Sequence, residues 1–332
     1  MATNSVSNSP LEYEGLGQPK PRHSPPRYTE LNERDPASGY VASRALADAV
    51  NAALFLQQPL LITGEPGTGK TMLAHSIAWE FDLPLHTFHT KMNSGGADLF
   101  YRYDALLEFR DSHNVGGNGH ASDPRKYVNY SALGRAILDT QQAKAVEEVA
   151  RIDDRLTREP TRSVVLIDEI DKAPRDFPND ILFETERLSF FVKETGWTIT
   201  ARPEHWPIVI CTSNLERSLP DAFLRRCIFF HIDFPTEAEL ADIVRKRLHS
   251  EFPGGEDALR EGIRLFTDIR KNERLLKRPA TAELLQWLRL VDRRGITTAD
   301  LRDRSGRVQS TFPALLKAKE DLDLVRSMSK SR

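Results

Sequence analysis

The sequence predicts an α/β fold, a parallel sheet sandwiched by helices with a small C-terminal helical domain, on three observations. The apolar run Leu60-Leu61-Ile62 leads into a glycine-rich turn, after which Met72, Leu73, Ser76 and Ile77 follow at helical spacing, so strand, turn and helix succeed one another. A second apolar run, Val164-Val165-Leu166-Ile167, ends on the adjacent carboxylates Asp168 and Glu169. Beyond Pro235 the apolar spacing becomes helical. With 332 residues and 39% apolar composition the chain can bury a core for an α/β domain and a smaller companion. The expected divisions are a disordered lead over 1–36, the α/β domain over 37–234, and the helical lid domain with its C-terminal tail over 235–332.

Taken in order, residues 1–36 carry many Pro, Ser and Asn and few large apolar side chains, too few to offset the entropy of ordering. From Ser43 a helical pattern runs through Leu46, Val50, Ala53 and Leu54 to Gln57, and ends at Pro59. The turn after the first strand, Gly64-Glu65-Pro66-Gly67-Thr68-Gly69-Lys70-Thr71, matches G-x-x-x-x-G-K-[ST] at every fixed position. Gly64, Gly67 and Gly69 let the backbone wrap close to phosphate and aim N–H groups inward at a helix N-terminus, where the dipole favours an anion. Lys70 is placed to meet the outer phosphates and Thr71 a magnesium ion. The expected nucleotide-binding stretch is Gly64, Glu65, Pro66, Gly67, Thr68, Gly69, Lys70, Thr71 and Met72, with a nucleoside triphosphate and Mg2+ as its ligands.

Pro84 to Thr90 alternates as a second strand. Its His86 and His89, three apart, point to opposite faces with no third ligand spaced to help, so they read as structural histidines and not as a metal site. The segment from Lys91 to Arg110 carries Gly95-Gly96 ahead of Asp98-Leu99-Phe100-Tyr101 and reads as an exposed functional loop. Residues 111–126, with Gly116-Gly117-Asn118-Gly119, read as a mobile loop. Ala132 to Leu156 reads as one long helix. The acidic strand that follows resembles a Walker B strand: Asp168 would hold magnesium through its water shell, and Glu169 would orient and polarise the attacking water at the γ-phosphate. Asp180 to Leu188 reads as helical, and Phe190 to Thr200 as a hairpin around a glycine-containing turn. A further strand, Pro207 to Cys211, ends in Thr212-Ser213-Asn214, and another, Ile228 to Ile232, follows Arg225-Arg226.

A net charge of −2 supplies no global basic field, so bulk electrostatics lend no support to nucleic-acid binding. The two cysteines, Cys211 and Cys227, fall in or near apolar strand-like runs, as small buried residues do. No signal pattern opens the chain and no apolar stretch approaches membrane-spanning length. A soluble, reducing, cytoplasmic setting without membrane insertion is the expectation.

The order of these parts resembles an AAA+ ATPase, a P-loop NTPase, and more narrowly the MoxR-type branch, over about Tyr40 to Leu290. The wording of that branch is echoed in Gly64 to Thr71, in Asp98-Leu99-Phe100-Tyr101-Arg102-Tyr103-Asp104, in Leu166-Ile167-Asp168-Glu169-Ile170-Asp171, and in Leu219-Pro220-Asp221-Ala222-Phe223-Leu224-Arg225-Arg226. The resemblance implies ATP hydrolysis with Glu169 and Asn214 as catalytic residues, Asn214 at the sensor-1 position, where an amide suits the γ-phosphate or its water. It puts Arg226, with Arg225 as the neighbouring alternative, at the arginine finger that reaches a neighbouring subunit's nucleotide. At Lys277-Arg278-Pro279-Ala280-Thr281-Ala282-Glu283-Leu284 the chain departs from the family, with Ala282 or Glu283 where the sensor-2 arginine is expected and Lys277 or Arg278 as substitutes from the preceding turn. A hexameric ring acting on a protein client follows by the same resemblance, with a von Willebrand A-type partner often delivering that client.

Three rivals make different demands. A motor on nucleic acid would draw on Arg125, Lys126 and scattered lysines, and its ATPase would be stimulated by nucleic acid in a steeply salt-dependent way. A nucleotide-gated scaffold would seldom turn over, and Glu169 speaks against it. A small-molecule kinase has no need of Arg225-Arg226 or of the hairpin.

Overall fold

The computed structural model describes residues 37–114, 123–142, 145–146, 159–248 and 255–330. The expected lead over 1–36, the glycine cluster 116–119 and the stretch 147–158 lie outside the described residues. Two compact units account for the chain. The first takes in 42–64 and 70–232, and the second 37–41, 65–69 and 233–330 among the described residues.

The first unit is built on β1 (Leu60–Gly64), β2 (Leu85–His89), β5 (Val164–Asp168), β8 (Ile208–Ser213) and β9 (Ile228–Ile232), a five-stranded sheet in the order β2-β5-β8-β1-β9. Every pairing in it is parallel. The three central strands are buried at every residue, which explains why they read as continuous apolar runs. The edges differ: β2 and β9 keep exposed positions, among them Thr87, His89 and Phe229. Parallel pairing with Thr63 opposite Ser213 and His89 opposite Asp168 brings the carboxyl ends of the strands to one edge, where α/β sheets bind ligands.

Two antiparallel pairs flank this sheet. β3 (Tyr101–Tyr103) pairs with β4 (Val128–Tyr130), and β6 (Ser189–Val192) with β7 (Trp197–Thr200). Here the structure corrects the expectation of an exposed loop around Leu99 to Tyr103, because Leu99 is 0% and Phe100 3% exposed. The Phe100 ring stacks on Phe190 at 5.2 Å between centroids, and Tyr130 meets the same ring edge-on at 6.1 Å. The backbone N–H of Lys193 donates to the Tyr101 hydroxyl at 3.1 Å. Leu99 and Phe100 are covered by other apolar side chains, while Met92, Leu106 and Phe109 of the same 91–110 segment are exposed.

The long helix expected over 132–156 is also shorter. It spans Ala132–Asp139 and is capped by Thr140, whose hydroxyl donates to the Ile137 carbonyl at 2.7 Å and accepts from the Arg202 N–H at 3.1 Å. The Asp139 carbonyl accepts from Thr161 N–H at 2.8 Å. Tertiary bonds thus take over the groups that a continuing helix would use. Of the expected loop 111–126, residues up to Asn114 complete the helix Ala105–Asn114, and Asp123 caps a short turn over Pro124–Tyr127.

The second unit is helical, with Glu237–Leu248, Gly255–Arg270, Thr281–Arg293 and Lys319–Lys330 as its longer elements. They close on Trp287, Phe266 and Phe312, and the Trp287 indole N–H finds Thr311 Oγ1 at 2.7 Å. The buried Asp321 carboxylate accepts from the N–H groups of Leu276 and Lys277, pinning the turn before Thr281. Among the described residues no helix is long and apolar enough to cross a membrane.

Candidate active site

At the ends of β1, β5 and β8 the polar residues bond to one another. Lys70 opens the helix Lys70–Phe81, is buried, and donates from Nζ to the Gly64 carbonyl at 2.8 Å, so its ammonium lies back across the loop that precedes it. Thr71 Oγ1 donates to Asp168 Oδ1 at 3.0 Å, and Thr212 Oγ1 donates to the same oxygen at 2.7 Å. His89 Nδ1 stands 3.4 Å from Asp168 Oδ2. Burial lowers the pKa of His75 on the Lys70–Phe81 helix, while the charge of Asp168 pulls the other way. Met72, half-buried, follows in the first turn of that helix.

Glu169 comes directly after the strand and adopts φ 56°, ψ 51°, a left-handed conformation that costs of order 1–3 kcal/mol in a non-glycine residue. Its N–H donates to Thr212 Oγ1 at 2.9 Å and its carbonyl accepts the Thr90 hydroxyl. The carboxylate meets Asn214 Nδ2 at 3.3 Å through Oε1 and Lys172 Nζ at 2.6 Å through Oε2. Asn214 is held in turn by the Asp171 carboxylate, which accepts its N–H at 3.4 Å and that of Glu216 at 2.9 Å. The structure therefore groups Lys70, Thr71, Asp168, Glu169 and Asn214.

Arg226 sits between the helix Asp221–Leu224 and β9, half-exposed, 3.5 Å from Glu186 Oε2 and donating to the Ala222 carbonyl at 3.3 Å. Arg225 beside it is exposed. Neither is bonded to the Asp168–Glu169 pair.

Residues 65–69 group with the helical unit. Gly67 and Gly69 take φ 77° and 92°, and a Cβ at Gly67 would lie 2.5 Å from the Ala280 Cβ, so only glycine fits there. A Cβ at Gly69 would come 3.1 Å from the Tyr40 ring. The Thr68 hydroxyl donates to the Glu65 carbonyl at 2.9 Å, and Pro66 is exposed. Ala280 of the 277–284 segment packs against this loop, and Glu283 accepts the Ala280 N–H at 3.1 Å. Arg278 lines a cavity of about 560 Å³ with Glu65, Phe234, Arg270 and Lys271. Arg270 bonds the Glu65 carboxylate and the Pro279 carbonyl and lies 3.4 Å from the centroid of the Phe234 ring.

Sequence reasoning missed Thr212, Lys172 and Arg270. Thr212 carried a usable signal, a hydroxyl closing an apolar strand two residues before Asn214. Arg270 carried none, since its partner Glu65 is 205 positions away. His86, expected to be structural, lies 2.6 Å from Asp139 Oδ2 through Nε2. Burial pushes the Cys227 thiol up to about 12 and raises the Cys211 thiol as well, which keeps both protonated.

Oxygen donors fit a hard divalent cation, and Thr71 Oγ1 and Asp168 Oδ1 already share a bond at the head of the loop. A G-x-x-x-x-G-K-[ST] turn with glycines at positive φ, a buried lysine and, two strands along the sheet from β1, a carboxylate closing β5 define a phosphate-loop nucleotide-binding protein. Residues 60–236, more than half of the chain, match the model of the ATPase family associated with various cellular activities (AAA). The chain belongs to this family. No curated protein matches it significantly.

Proposed function

We propose that this AAA-family ATPase is a MoxR-type member that binds Mg-ATP and hydrolyses it within a ring to remodel or activate a protein client or complex. The observation that carries the reading is the bonded strand-end group: Asp168 under Thr71 and Thr212, with Glu169 and Asn214 touching beside it. In the bound state Thr71 and Asp168 would hold magnesium, which neutralises charge on the phosphates. Lys70 and the backbone N–H groups of Gly64 to Met72, Pro66 excepted, would bind and orient the phosphates. Glu169 orients water and takes its proton, and Asn214 holds the carboxylate and the departing phosphate in register. Arg226, or Arg225 beside it, reaches the nucleotide of the next subunit. Either leaves its own acidic pair untouched, which supports action in trans. The domain limits 37–234 and 235–332, a hexamer, a von Willebrand A-type partner and a cytoplasmic setting belong to the same proposal.

Mixing tests the shared site. Arg226→Ala and Lys70→Ala subunits are each expected to be inactive, with the finger contributing about 10³ to 10⁵ in rate. A mixed ring pairs some intact loops with intact fingers and regains turnover. Mixed rings, confirmed by sizing, that stay inactive assign the role to a residue acting in cis.

A further inference from the structure

Glu65 is a carboxylate set inside a loop whose task is to hold anions. It is the second residue of the 64–71 turn, and its side chain is 48% exposed. A carboxylate there repels phosphate, and like charges brought together in a binding site cost affinity unless a cation offsets one of them. The structure supplies that cation. Arg270, which belongs to the same helical unit as residues 65–69, bonds Glu65 Oε2 through Nη2.

Arg270 is held in place by contacts that do not involve Glu65. It closes the helix Gly255–Arg270, and only 10% of its side chain is exposed. Its guanidinium lies 3.4 Å from the centroid of the Phe234 ring, and Phe234 stacks in turn on the buried Phe266 at 6.2 Å between centroids. Nη1 donates to the Pro279 carbonyl at 2.6 Å. Ring, carbonyl and helix end together fix the planar fork, and its second amino group is aimed at the loop carboxylate. Pro279 precedes Ala280, the residue that a side chain at Gly67 would strike. One guanidinium thus braces the acidic residue of the loop and the turn that packs on Gly67.

We propose that Arg270 is a positioning residue for nucleotide binding that acts through Glu65, drawing the carboxylate off the phosphates and neutralising it, and makes no contact of its own with the nucleotide. This inference rests on the reading of residues 64–72 as the phosphate-binding stretch. It has a particular sign. Loss of Arg270 weakens ATP binding only while Glu65 keeps its charge, whereas an arginine that gripped phosphate directly would be missed whatever stood at position 65. The penalty also grows with the charge of the ligand, so ATP suffers more than ADP.

Equilibrium titration of the full chain with ATP and with ADP tests this, on the native protein, Arg270→Met, Arg270→Lys, Glu65→Gln and the Arg270→Met, Glu65→Gln double variant, each checked by thermal melting. Arg270→Met is expected to weaken ATP binding about tenfold and ADP binding less, the scale of one exposed like charge screened by water and salt. Arg270→Lys, which keeps the charge, is expected to lose less. Glu65→Gln should bind ATP more tightly than native, and the double variant should return to within about threefold of native. A double variant as weak as Arg270→Met, a loss equal for ATP and ADP, or no loss at all overturns the inference, while native ATP binding leaves the phosphate-loop reading intact. If melting shows Arg270→Met to be unfolded, Glu65→Gln decides alone, and an ATP affinity at or below native overturns the inference. A native chain that binds no ATP overturns both.

Discussion

The tips of β5 and β8 and the aromatic cluster around Phe190 belong to one compact unit and are built in opposite ways. At the tips, buried polar groups fill one another's bonding capacity: Asp168 takes two hydroxyls on one oxygen, and the backbone of Glu169 is tied at both ends. Around Phe190 the contacts are ring on ring, from Phe100, Tyr101 and Tyr130. Buried polar groups cost free energy until paired, whereas buried rings stabilise through the area they remove from water and the way they stack. The first region holds polar groups in place at the expense of fold, with a left-handed Glu169 in its midst. The second holds fold.

Substitutions should separate the two. The largest effect on binding is expected at Lys70: Lys70→Ala removes a buried ammonium and should weaken ATP binding by about 10²-fold or more, read by titration with a fluorescent ATP analogue. Its melting midpoint should stay near native, since the loss is one of phosphate charge neutralisation. Phe190→Ala should do the reverse. Emptying the centre of the ring cluster should cost about 3–5 kcal/mol in urea unfolding, while the folded fraction keeps native nucleotide affinity. A Phe190→Ala chain that unfolds like the native one would return the β3–β4 insertion to the exposed role that the sequence suggests. Thr212→Val sits between the regions in kind and below both in size. It removes one bond to Asp168 and one from Glu169 N–H, so about 1–3 kcal/mol of stability should go, together with tighter magnesium requirements for turnover, read as a raised half-saturating Mg2+ concentration.

The same contrast explains what was legible in the sequence. β1, β5 and β8 are buried on both faces and announced themselves as unbroken apolar runs, and the glycines of the phosphate loop occur at conformations that few other residues adopt. The acidic pair was legible because carboxylates closing an apolar strand have no packing reason to be there. Leu99 and Phe100 were not, because a short apolar stretch between glycines looks the same whether it faces solvent or a ring; its partner Phe190 arrives 90 residues later along the chain. The helix from Ala132 stops at Asp139 for a tertiary reason as well, its carbonyl being taken by the Thr161 N–H. Lys172 stood in view beside the acidic strand, yet its contact with Glu169 depends on the left-handed turn between them, which no periodicity signals.

The most direct measurement is multiple-turnover phosphate release by the native chain and by Glu169→Gln, with ATP affinity measured on both. The account predicts that both bind ATP alike and that Glu169→Gln releases phosphate about 10² to 10⁴ times more slowly, the range of a positioned general base. Equal turnover in the two proteins, or loss of ATP binding in Glu169→Gln, would contradict it.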